Sequence, residues 1–199
     1  TSGSRVSNRA DFLSVELSRL KYIHENSCNN NTDSLYRLAL IRLAALMEPD
    51  SLTAEVNLEL ARHHESLSQR FYPNRPDTAL YKWDRVESIK WLRKSEKWAE
   101  TRAGKESINL ANLLTGPYLE TQSEQVLEPL RPFPVSIMYR NFNLLFYRIY
   151  RADALDFHSG NFDDAEMDRL KWIGKYPMIR SGRFTLPDDG DRNLHRVNL

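Results

Sequence analysis

One cysteine occurs in 199 residues, Cys28, within the polar run 26–31. A single thiol forms neither an internal disulfide nor a cysteine-rich metal centre, so a reducing, cytoplasmic setting is the expectation. No run of about 18 apolar residues exists, so no membrane span is expected. Residues 1–8 lack the apolar core of a secretion signal and can equally be the edge of a longer protein. The net charge is +1, so no global field draws the chain onto nucleic acid or a membrane surface, and any basic patch must be local. Seven glycines and nine prolines are few for a fold rich in strands and tight turns.

Catalytic signatures are missing as well. There is no Gly-x-Gly-x-x-Gly, Gly-x-Ser-x-Gly or His-Glu-x-x-His. Gly104-Lys105 lacks the upstream glycine and the following Ser or Thr of a phosphate-binding loop. The oxygen-rich segment 156–163 lacks the spacing of a calcium loop. No internal repeat is visible.

What is present is ordinary globular composition, 41% hydrophobic and 28% charged, long enough for one domain with a full core. Apolar residues recur at helical spacing. Leu13, Leu17, Leu20 and Ile23 predict a helix over 11–25. Residues 34–47 predict a second helix, apolar on most sides and therefore buried. A third runs over 51–71 with Val56, Leu60 and Leu67 inside; the break at 72–77 precedes a long helix over 79–103, and 106–114 continues helical up to Gly116-Pro117. Residues 118–134 read as a loop with a short helix near 124–127, and 162–173 as a last helix. The expectation is an all-α fold, a single-domain bundle of six or seven helices over 1–174, followed by an irregular, extended C-terminal arm over 175–199 in which 183–186 can form a short strand.

The stretch 134–151 reads as the central helix. At about 100° per residue Tyr139, Phe142, Phe146 and Tyr150 share one stripe, and Arg140, Arg148 and Arg151 gather opposite. That arginine face suits phosphate or carboxylate, or is neutralised by the acids of 153–168.

Other constellations carry possible chemistry. Trp83, Trp91 and Trp98 fall within about 80° of one another on the predicted 79–103 helix, flanked by Lys90, Lys94 and Lys97. Residues 82–105 hold eight basic against four acidic side chains, a local +4. Aromatic faces beside cations suit single-stranded nucleic acid, whereas indoles packed inward under snorkelling lysines do not, so exposure of the indoles decides. Arg151 and His158 have an Arg-x6-His spacing similar to that of all-α RNases of the HEPN type, with alanine at position 152 where a polar residue is usual. Glu55, Glu59 and His63, at i, i+4 and i+8, put carboxylates and an imidazole on one helix face, with His64 and Glu65 alongside. With no matching second helix this reads as a solvated face, and neither a metal nor another cofactor is expected.

The functional expectation is a non-catalytic helical adaptor, a subunit of a larger assembly that binds a protein partner or its own copy. The alternatives are a nucleic-acid-binding protein using the Trp/Lys helix face, with Arg140, Arg148 and Arg151 contributing, and a HEPN-like RNase using Arg151 and His158.

Overall fold

The computed structural model describes residues 2–123, 134–152 and 166–199. The fold is mixed, not all-α. Among the described residues six α-helices accompany five antiparallel strands in two sheets. The chain divides into two compact units, one of Thr1–Asn141 with Gly190–Leu199 and one of Phe142–Asp189.

The first unit opens with α1 (Ser2–Asn26), α2 (Thr32–Met47) and α3 (Thr53–Ser68). These match the spacing in the sequence, with one consequential rotation. Ile23, expected inside, is exposed, and His24 takes the inward place beside the stripe of Leu13, Leu17 and Leu20. The expected long helix over 79–103 is broken into a 3-10 turn (Pro76–Tyr81), α4 (Asp84–Lys94) and a second 3-10 turn (Glu96–Trp98), before α5 (Arg102–Thr115). Thr101 caps α5 through the amide of Gly104. A Cβ at Gly104 would meet the Trp98 carbonyl oxygen at 1.9 Å, so glycine permits the turn to pack this closely.

The structural centre of this unit is α3. Its Val56 and Leu60 join a core with Leu13, Tyr36, Leu40, Leu43 and Met47. Ala54, Leu58 and Ala61 enter a second core with Ile89, Leu92, Ala103, Ala111 and Leu114. A helix buried on two sides needs small and branched residues on both, and the alternation of Ala and Leu along α3 supplies them.

The predicted central helix over 134–151 does not exist. Val135–Arg140 forms β2 and Leu144–Tyr150 forms β3. In β2 Val135, Ile137 and Tyr139 recur at every second residue, the period of a strand, and Ile137 and Tyr139 are buried on one side. Asn141 ends β2 in the left-handed region, φ 63°, and its amide donates to the carbonyls of Leu114 and Gly116 at 2.9 and 2.7 Å. β1 (Tyr118–Ser123), read as loop in the sequence, pairs antiparallel with β2, Tyr118 opposite Arg140. β5 (His195–Asn198) pairs with the other edge of β2, Tyr139 opposite His195.

The second unit holds α6 (Glu166–Ile173) and an antiparallel pair, β3 with β4 (Met178–Thr185), Leu144 opposite Thr185. Gly182 faces Tyr147, whose ring would lie 2.7 Å from any added Cβ. The C-terminal stretch is therefore not an irregular arm, because β2 and β3 supply hydrogen-bond partners for its strands. The expected short helix near 124–127 lies outside the described residues. Among the described residues no helix is long and apolar enough to cross a membrane.

Candidate functional site

The polar loop after α1 reverses the chain and brings the last turn of α1 against the first turn of α2. Asn29 organises it, its carbonyl accepting from the Thr32 amide and its side chain from the Asn31 amide. His24 and Asp33 meet across this reversal, His24 Nε2 to Asp33 Oδ1 at 2.8 Å. The other oxygen of Asp33 accepts from Arg70 Nη1 at 2.7 Å. His24 stacks on Tyr36 with ring centroids 4.3 Å apart. From α3, His63 places its ring edge-on to both, 5.2 Å from His24 and 5.1 Å from Tyr36. The Tyr36 hydroxyl donates to Glu59, which also pairs with Lys21 at 2.7 Å. One residue along, buried His64 pairs with Asp84 of α4 at 2.6 Å. Asp33 and Asp84 both line an open polar cavity of about 280 Å³ with Arg37 and Tyr81.

Burial and the neighbouring His24 push the His63 imidazole down to about 4, so it is neutral at pH 7. Burial opposes the charge of Asp33, but the hydrogen bonds from His24 and Arg70 prevail and hold its carboxyl below the ordinary value. Burial, then the adjacent Glu59 carboxylate, raises the Tyr36 phenol.

The sequence pointed to His63 but read it as part of a solvated face with Glu55 and Glu59. It is 6% exposed. Its partners come from other helices, and i, i+4 counting within α3 cannot find them. His24 and Asp33 were missed altogether. Their signal was a polar pair flanking a short asparagine-rich loop, which the apolar stripe ending at Ile23 obscured.

The predicted tryptophan stripe is dispersed. Trp83 precedes α4 and is 50% exposed. Trp91 on α4 packs against both cores, and Trp98 packs against the second with its indole N–H buried and unpartnered. Each indole carries a lysine on its own face: Lys82 at 5.4 Å from Trp83, Lys94 at 3.4 Å from Trp91, Lys97 at 5.5 Å from Trp98. Lys90 pairs with Glu87 at 2.5 Å.

The three arginines share no helix face, because no helix is there. Arg140 belongs to the first unit and donates to the Leu113 carbonyl at 3.1 Å. Arg148 on β3 and Arg151 just after it belong to the second unit and are exposed. His158 lies outside the described residues.

A surface not foreseen from the sequence lies on the outside of the α1–α2 hairpin. The helices run antiparallel, with Arg9 reaching the Leu46 carbonyl at one end and His24 meeting Asp33 at the other. Expected to be buried all round, α2 instead exposes Leu35 (56%), Leu38, Ile41 and Leu46 (60%). On α1, Phe12, Val15, Tyr22 and Ile23 are exposed at similar spacing. The two strips meet at a groove of about 190 Å³ lined by Leu20, Ile23, Leu35 and Ala39, with His24 and Tyr36 at its polar end. No protein-family model matches the chain, and neither a curated protein nor a solved structure matches it significantly.

Proposed function

We propose that the protein is a non-catalytic helical subunit of a larger assembly, and that the outer face of the α1–α2 hairpin docks an amphipathic helix of a protein partner. One observation carries this reading: Leu35, Leu38, Ile41 and Leu46 form an exposed strip on α2. Full burial of each side chain is worth about 1.5–3 kcal/mol, and a monomer that leaves four of them in water forgoes that gain. The groove between Ile23 and Leu35 takes one large apolar side chain of a docked helix, with further anchors one and two turns along. Charge narrows the partner's chemistry. Among the described residues Arg19 is held by Glu16, whereas Arg42, in the middle of the α2 strip, makes no ion pair. A partner helix with a carboxylate opposite Arg42 complements this face better than a second copy, which brings arginines of its own.

The test is a photo-crosslinking amino acid at position 38, introduced in cells that make the protein. The expected result is one discrete adduct with a different protein, lost when Leu35 and Leu46 are both changed to Glu, and absent with the same probe at exposed Lys105. No adduct, an adduct only with a second copy, or one indifferent to Leu35→Glu/Leu46→Glu overturns the reading.

A further inference from the structure

Three helices of the first unit aim metal-ligand side chains at one point. His24 lies in the last turn of α1, Asp33 in the first turn of α2, and His63 in the second half of α3. One donor atom from each lies within 4.8 Å of the other two. Around a tetrahedral zinc, with bonds of about 2.0–2.2 Å, donors stand roughly 3.3–3.6 Å apart. Side-chain rotations on the order of 1 Å close the set, and the His24–Asp33 pair, at 2.8 Å, is already inside that separation.

A second observation concerns the third of these side chains. His63 is 6% exposed, and its Nε2 is buried with no hydrogen-bond partner. Leaving such an atom unsatisfied costs its full desolvation, a cost that coordination removes. The surroundings are those of a fixed ligand set. Arg70 holds the outer oxygen of Asp33 and leaves the inner one facing the imidazoles. Tyr36, tied to Glu59, stacks on His24 and limits the rotation of its ring. Outer contacts of this kind orient first ligands and tune their affinity.

We propose that His24, Asp33 and His63 bind one divalent transition-metal ion of the zinc class, which ties α1, α2 and α3 together. Two imidazoles and one carboxylate are borderline donors that suit zinc better than calcium or magnesium, which take oxygen ligands. Asp33 also lines the open polar cavity with Asn30, Ser34 and Arg37, on the side away from the outer groove, and that cavity admits water as the fourth ligand. The site uses the inward faces of the helices and stands whether or not the outer face docks a partner. It acts through folding: an ion that binds only the assembled junction stabilises the hairpin by linkage.

The test uses the whole chain, stripped with a chelator and titrated with zinc(II) against a chromogenic competitor, and in parallel with cobalt(II) followed by its visible absorption. The expected result is one equivalent of metal and a tetrahedral cobalt spectrum. His24→Ala and His63→Gln should each weaken binding at least about 100-fold, while His195→Ala leaves it unchanged. Far-UV circular dichroism checks that each variant is folded. If His63→Gln fails that check, His24→Ala, whose side chain is only partly buried, decides alone. Sub-stoichiometric binding, or binding that His24→Ala leaves intact, overturns the proposal.

Discussion

Asp191 has no solvent exposure, yet it carries its charge inside the first unit. Burial alone would raise its carboxyl. Hydrogen bonds from the Asn193 amide at 2.8 Å and from His195 at 3.0 Å outweigh that and hold it below the ordinary 3.8. The folded state therefore gives up this proton more readily than the unfolded state. The stabilisation is complete above the unfolded value, near pH 4, and is lost as pH falls through the lower folded value. Asp191→Ala should cost about 1–3 kcal/mol at pH 7, read from urea midpoints, because it removes the acceptor of the buried Asn193 amide and of the partly buried His195 ring. The gap between variant and parent should shrink as pH drops below about 4; an equal gap at pH 7 and pH 3 contradicts this account. None of this was legible in the sequence, where residues 188–191 fall in the expected irregular, extended arm. The neighbouring Asn193 is fixed by the Lys82 carbonyl, 111 residues away, and no local pattern encodes that contact.

At the scale of elements, the first three helices were legible because their stability is local. A 3.6-residue period, a proline stop after Glu48 and a polar reversal at 27–31 are all visible within one window. The sheets were not, because their hydrogen bonds close over long separations: Val135 pairs with Ser123 on one side and exchanges backbone hydrogen bonds with Leu199. In 134–151 a helix period and a strand period fit the aromatics almost equally well, and only the partners decide between them. The two readings make opposite predictions. On one helical stripe Tyr139 and Phe146 would be buried together. In the structure Tyr139 is 1% exposed on the central strand β2, and Phe146 is 69% exposed on β3. Tyr139→Ala should cost about 3–5 kcal/mol, and Phe146→Ala less than about 0.5 kcal/mol, both read by urea denaturation. Comparable losses at the two positions return the stretch to a helix. The outer strip of α2 was half legible: the sequence showed a helix apolar on most sides, and the inference of burial failed because among the described residues Leu35, Leu38, Ile41 and Leu46 stay exposed on its outer face.

At the scale of the whole molecule, the chain leaves the first unit after Asn141 and returns to it at Gly190. The return is structural, since β5 completes the β1–β2–β5 sheet and Asn193 is anchored to the Lys82 carbonyl. Exit and re-entry lie together, with Arg192 Nη1 reaching the Asn141 side chain at 3.4 Å. A unit inserted at adjacent ends contributes few constraints to its host, which can close over a short link. Replacing residues 142–189 by a Gly/Ser linker of about six residues, a span of roughly 12–15 Å, should therefore leave the first unit folded. The expected readout is one cooperative urea transition and a helical circular dichroism spectrum. Because α1, α2 and α3 all remain, this shortened chain should also keep one equivalent of zinc and the position-38 crosslink. Loss of cooperative folding would show that Phe142–Asp189 is part of the first unit's core. Retained folding without the crosslink would move the docking surface to the excised segment, and retained folding without zinc would place a ligand there.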